Sequence, residues 1–201
     1  MINSILHATT IESEVSTVQA DVVPLRDFLD ELETMYLPPA DGTLAFRWRC
    51  APDLPVVKTD KAKLKYIVQN LINNAIKFTS EGEVSVSAEV LDNAALAAGD
   101  QALTNGQVWL KFAVTDTGVG IAEEFLPMIF EKFSQVDSST KRSHTGIGLG
   151  LYIVKRCTEL LKGSIDVTSR PGEGSTFTVR VPCSIAAEGR VSEEDLEKII
   201  A

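Results

Sequence analysis

The stretch that most restricts the fold is "DKAKLKYIVQNLINNAIKFT", residues 60–79. Leu64, Ile67, Val68, Leu71, Ile72, Ala75 and Ile76 recur at helical spacing and form a broad apolar face, with Asp60 placed as the N-cap. A face that wide has to be covered by another layer. The segments after it supply one: "EVSVSAEVL" and "QVWLKFAVTD" alternate apolar and polar residues as strands do. "SIDVTSR", a "PGEGS" turn and "TFTVRVP" read as a hairpin. Upstream, "VSTVQADVV" and "GTLAFRWRC" read as strands. Between them lies a helix, "PLRDFLDELETMY", with Pro24 at its first position and Leu25, Phe28, Leu29 and Leu32 on one face. The segment 92–106, "DNAALAAGDQALTNG", has the length and small residues of a surface loop.

One α/β domain is therefore expected over residues 16–183. Residues 1–15, with Ile2, Ile5 and Leu6 at helical spacing, read as the end of a helix begun upstream. Residues 184–201 read as a tail with a short helix, capped by Ser192 with Asp195 three residues on and stapled by Val191 and Leu196. A net charge of −9 argues against a nucleic-acid or anionic-membrane surface. The three cysteines, Cys50, Cys157 and Cys183, form no C-x-x-C pair and read as reduced thiols of a cytoplasmic protein, without a metal. No apolar run approaches the ~20 residues of a membrane span, and no signal peptide is recognised, so no direct membrane contact is expected of this chain, whether or not a longer parent is anchored.

Four segments carry chemistry. On the long helix Asn70 and Asn74 share a face, with Lys77 and Phe78 one turn on. An amide oxygen suits Mg2+ and a lysine suits phosphate, although the same residues would serve as an ordinary wet helix face. Asp116 ends a strand before "TGVG", where a carboxylate could accept from an amine such as that of adenine, or simply open a turn. Gly146, Gly148 and Gly150 alternate in "HTGIGLGL" at the mouth of a helix, whose free N–H groups favour anions. That spacing is neither the dinucleotide fingerprint nor the P-loop, and a hinge is its plain alternative. Between these glycines and Asp116, "FEKFSQVDSSTKRSH" has the composition of a lid anchored by Phe130 and Phe133 and carrying Lys141 and Arg142. Last, "PGEGSTFTV" sets Gly172 and Gly174 in a turn leading to Thr176.

The order of these segments resembles the ATP-binding catalytic domain of sensor histidine kinases, within the Bergerat-fold ATPases. The likeness runs from about residue 60 to 182 through "NLINNAIKFT" (N box), "DTGVG" (G1), "FEKFSQ" (F box), "GIGLGL" (G2) and "GEGSTF". It implies a two-layer α/β sandwich, a mixed sheet covered on one face by helices, with ATP between the helices and the lid. Asn74 would then hold Mg2+, Asn70 would stand one turn before it, and Lys77 would meet phosphate, these three being the catalytic set. Phe78 would line the nucleotide site and Asp116 would take the adenine amine, with Gly118 and Gly120 permitting approach. Gly146, Gly148 and Gly150 would wrap the phosphates, and Thr176 would lie near adenine. Ile121, Phe130, Lys141, Arg142, Thr145 and Leu149 complete the expected contacts.

In the hydrolysing members a glutamate stands where this chain has Asn70, and an amide cannot take a proton from water. The resemblance thus implies transfer to a histidine on a dimerisation domain absent from this chain, and onward to a response regulator receiver domain. Neither His7 nor His144 has the acceptor's neighbours, so no autophosphorylation by this chain alone is expected. A Bergerat-fold serine kinase and a non-catalytic nucleotide-sensing module are the competing readings. "INSILHATTIES" and "NAIKFT" favour the histidine-kinase branch.

Overall fold

The computed structural model describes residues 17–38, 42–51, 53–91, 106–134 and 148–186. In chain order these form β1 (Asp21–Pro24), α1 (Leu25–Met35), β2 (Leu44–Cys50), β3 (Val56–Thr59), α2 (Lys61–Phe78), β4 (Gly82–Leu91), β5 (Gln107–Asp116), a 3-10 turn (Glu123–Phe125), α3 (Gly150–Leu160), β6 (Ser164–Arg170) and β7 (Gly174–Ile185). The strands make one sheet in the order β1-β3-β7-β5-β4-β2, with β6 also paired to β7. Only β2 and β4 run parallel, so the sheet is mixed.

The strand alternation sorts the two faces of this sheet. Val84, Val86 and Ala88 of β4, Val108, Leu110, Phe112 and Val114 of β5, and Phe177, Val179, Val181 and Cys183 of β7 are buried on the inner face. The apolar stripes of α1 and α2 cover them, and Phe28 meets Phe112 edge to face at 6.2 Å. The outer face keeps polar residues and ion pairs, Arg47 with Glu83, Lys111 with Glu89 and Arg180 with Asp166. Two layers with one covered face is the architecture expected of the sequence. Among the described residues no helix is long and apolar enough to cross a membrane. Burial pushes the thiols of Cys157 and Cys183 up to about 11, so both stay protonated near neutral pH.

Some boundaries differ from the sequence expectation. The first strand is confined to Asp21–Pro24, and Pro24 is the N-cap of α1 and not its first helical residue. Val56–Thr59, to which the sequence reading assigns no strand, is β3, paired to both β1 and β7. Four residues are too few for alternation to register, and the pairing partners lie far away in the chain. The expected end helices, residues 1–15 and the capped segment after residue 190, lie outside the described residues, as does most of the 92–106 loop.

Asp60 caps α2 as expected, its Oδ1 accepting from the Lys63 amide at 2.9 Å. Its other oxygen accepts from Lys63 Nζ at 2.7 Å and from the Gln19 amide at 3.0 Å, while Lys63 Nζ also donates to the Thr17 carbonyl at 2.8 Å. Both side chains are buried. This pair therefore ties the entering chain, Thr17 to Gln19, to the start of the helix that carries the asparagines. Burial alone would raise the Asp60 carboxyl; the hydrogen bonds from Lys63 and Gln19 outweigh it and hold the carboxyl below its ordinary value.

A depressed folded-state pKa contributes stability that is present above the unfolded-state value of about 4 and lost as pH falls through the folded value. Asp60→Asn, which strands a buried ammonium, is expected to cost about 3 kcal/mol at pH 7 and to remove part of this acid loss. Urea unfolding at neutral and acid pH checks it: equal pH slopes in the two proteins would rule Asp60 out as a source.

Candidate functional site

The buried stripe of α2 leaves its opposite face to carry polar groups. Asn70 donates Nδ2 to the Tyr66 carbonyl one turn back at 2.7 Å, which orients its amide and leaves Oδ1 as an acceptor. That oxygen looks toward Gly150, the first residue of α3. A Cβ on Gly150 would stand 3.1 Å from Asn70 Oδ1, 3.7 Å from Asn74 Nδ2 and 3.9 Å from Asn74 Oδ1. The two expected asparagines and the expected glycine are thus brought together, and a side chain at residue 150 would fill the space between them. Leu149, buried, is the N-cap of α3 and supplies no side-chain hydrogen bond, so among the described residues no side chain caps the N–H donors that open the helix. Lys77 Nζ lies 4.8 Å over the ring of Phe78, and that ring is partly exposed.

Asp116 ends β5 at the far side of the same helix. Its side chain is buried at 6% exposure, and Oδ1 accepts from the Gly118 amide at 2.9 Å. Burial raises its carboxyl above the ordinary value, while the Gly118 and Ser175 amides offset part of that rise. The loop after it is held from several sides. The Thr117 amide donates to the Glu83 carbonyl (3.1 Å), the Val119 amide to the Phe78 carbonyl (3.2 Å), and the Gly172 amide to the Val119 carbonyl (2.8 Å). The Ile121 amide donates to Ser169 Oγ at 2.8 Å.

From their place beside Asp116, Gly118 and Gly120 are expected to admit a ligand. In the structure both admit protein backbone: a Cβ on Gly118 would overlap the Phe78 carbonyl, and one on Gly120 would overlap the Arg170 carbonyl. Gly120 also has φ 67°, the left-handed region that side chains disfavour. These close approaches bind the loop to the end of α2 and to the β6–β7 turn. Their partners lie 40 or more residues away, so only the fold reveals them.

Other expected residues are distributed less simply. Ile121 and Phe130 are partly buried against the core, and Phe130 packs edge to face on Phe177 at 6.4 Å. Phe133, expected as a second anchor, is 64% exposed with φ 62°, and its amide donates to the Gly148 carbonyl at 3.0 Å. Thr176 lies on the outer face, its hydroxyl 3.0 Å from that of Thr115, away from Asp116. The period of two puts its neighbour Ser175 on the inner face, buried and directly opposite Asp116 in the β5–β7 register. Counting back from Phe177, Val179 and Val181 would have singled out Ser175 in the sequence. Lys141, Arg142, Thr145 and Gly146 lie outside the described residues, as do His7 and His144.

Known proteins are similar to this chain in sequence and in fold. Histidine kinase 5 of Arabidopsis thaliana is 35% identical over 209 residues, covering 98% of this chain and 23% of its own length. The sensor histidine kinase AtsR of Burkholderia thailandensis is 34% identical over 186 residues, covering 92% of this chain and 29% of its own. The chain thus spans about a quarter of the length of these curated relatives. Among solved structures, full-length ShkA in complex with AMPPNP matches with a TM-score of 0.72 and 29% identity, over 92% of this chain and 36% of that one. The histidine kinase AdeS of Acinetobacter baumannii shares the fold, with a TM-score of 0.61 at 19% identity over 92% of this chain and 77% of that one. The model of the histidine kinase-, DNA gyrase B-, and HSP90-like ATPases matches residues 59–185, and the chain belongs to that family.

Proposed function

We propose that this domain binds Mg-ATP along α2 and donates the γ-phosphoryl group to a histidine on a dimerisation domain outside this chain. The observation that carries the reading is a spacing. Asn70 and Asn74 stand beside the start of α3, while Phe78, eight residues beyond Asn70, is bonded through its carbonyl to the loop after Asp116. At 1.5 Å per residue those ends are about 12 Å apart, a length that suits an extended nucleotide with its base at Asp116 and its phosphates at α3.

The groups at each end fit their parts. Buried Asp116 offers an acceptor for an exocyclic amine. The α3 N–H groups and, once released from Phe78, the Lys77 ammonium offer positive charge to phosphates in a chain of net charge −9. The cradle at Gly150 fits a hard cation through the amide oxygen of Asn74, with Asn70 Oδ1 beside it. A Mg2+ ion bound there supplies neutralisation of phosphate charge. Asn70 cannot accept a proton from water, so the residues favour holding ATP for another acceptor over hydrolysing it. The relative solved with AMPPNP supports an adenine nucleotide as ligand. A response regulator receiver domain is the proposed final acceptor.

Transfer in trans tests the function: Mg-[γ-32P]ATP with this chain and a separate dimerisation domain should give acid-labile label on the added domain. ATP binding without label passed on would favour a nucleotide-sensing module. Asp116→Asn is expected to weaken ADP binding about tenfold or more by calorimetry, because an acceptor becomes a group that can present a donor. Asn74→Ala should weaken nucleotide binding with Mg2+ more than without it, and equal losses would exclude a metal ligand. Gly120→Ala, forced into both overlap and strain, should lower stability by about 1–3 kcal/mol in denaturant melts and weaken ADP binding as well.

A further inference from the structure

Resting on the reading of Asp116 as the adenine acceptor, we propose that Ser169 is a positioning residue that sets the choice of adenine over guanine. Ser169 lies on β6 opposite Ser175 of β7, and Ser175 in turn lies opposite Asp116 of β5. Three polar atoms meet the Ser169 hydroxyl: the Ile121 amide at 2.8 Å, the Gly174 carbonyl at 2.9 Å and Ser175 Oγ at 2.9 Å.

A hydroxyl has one proton and two lone pairs. The Ile121 amide can only donate and the Gly174 carbonyl can only accept, so Ser169 spends its proton on Gly174 and one lone pair on Ile121. The one place left is the second lone pair, and Ser175 must therefore donate its proton to Ser169. Ser175 is left with lone pairs alone beside the Asp116 carboxyl. The two residues then present a surface of acceptors. It matches an exocyclic amine, which brings two N–H donors, and repels an exocyclic carbonyl at the same position of a purine. The same hydroxyl pins Ile121, the end of the loop that begins at Asp116. Ser169 acts through Ser175 and Ile121 and need not touch the base.

Calorimetric titration of ADP and GDP into the domain tests this. Ser169→Ala should weaken ADP binding about fivefold to tenfold and lower the ADP-to-GDP affinity ratio about tenfold, because Ser175 becomes free to turn and donate. The thermal midpoint should fall as well, because the Ile121 amide and the Gly174 carbonyl lose this partner, but a merely structural loss would not change the ADP-to-GDP ratio. Ser169→Thr, which keeps the hydroxyl, should hold the wild-type ratio. An unchanged ratio in Ser169→Ala, or an equal fall in Ser169→Thr, would overturn the assignment. If Ser169→Ala does not fold, Ser175→Ala alone should lower the ratio, and an unchanged ratio there overturns it too. Failure of the unsubstituted domain to bind ADP would overturn the adenine reading itself, an outcome distinct from binding that is indifferent to Ser169.

Discussion

The burial of one face of α2 against β4 and β5 is the constraint on which the rest of the molecule depends. Leu64, Ile67, Val68, Leu71 and Ile72 are all at 1% exposure or less, so the helix has no freedom to roll about its axis. Fixing one face of a helix fixes the other. Asn70 and Asn74 are consequently held against Gly150, and the Phe78 carbonyl is held where the Val119 amide reaches it. The site is a by-product of core packing: both of its ends ride on a single rigid element. At the start of α2 the buried pair of Asp60 and Lys63 joins the entering chain to the same element, so the asparagines and the chain's point of entry share one body.

The site also has to reconcile two opposite electrostatic demands. One end gathers positive potential from α3 and Lys77 in a chain whose net charge is −9. The other end gathers acceptors, with a carboxylate buried deeply enough to be pushed toward its protonated form and partly restored by two amides. About 12 Å of helix separates them. For the proposed nucleotide that separation matters, because a buried carboxylate at the helix start would repel the anions that the helix N–H groups attract. The hydroxyls of Ser169 and Ser175 belong to the acceptor end, and their protons are ordered by the fixed donors and acceptors around them.

Much of this was legible in the sequence. The N-cap Asp60, the buried stripe of α2, the two long strands and the hairpin all follow from local rules, namely capping geometry and periods of 3.6 and 2. The ordered glycine segments also pointed to the right family. What was less legible depends on neighbours distant in the chain. β3 is only four residues long and is a strand because β1 and β7 flank it. Gly118 and Gly120 look like openings for a ligand, yet each meets a carbonyl of another element. Phe133 looks like an anchor by type and spacing, yet its positive φ turns it outward.

Thr176 and Ser175 mark the division most sharply. That a hydroxyl would follow the glycine turn was evident from the residues alone. That Ser175 and not Thr176 shares the inward face with Phe177, Val179 and Val181 follows from the period of two, but that the residue opposite it is Asp116 is a matter of strand register. By itself the sequence determined the elements, their amphipathic faces and the inventory of chemical groups, because those depend on residues within a turn or two of one another. Only the tertiary structure decided which groups meet, because the contacts of Ser169 with Ile121, of Gly118 with Phe78 and of Lys63 with Thr17 close loops of about 40 residues or more. Such closures are stabilised only once the whole sheet and its helices pack together.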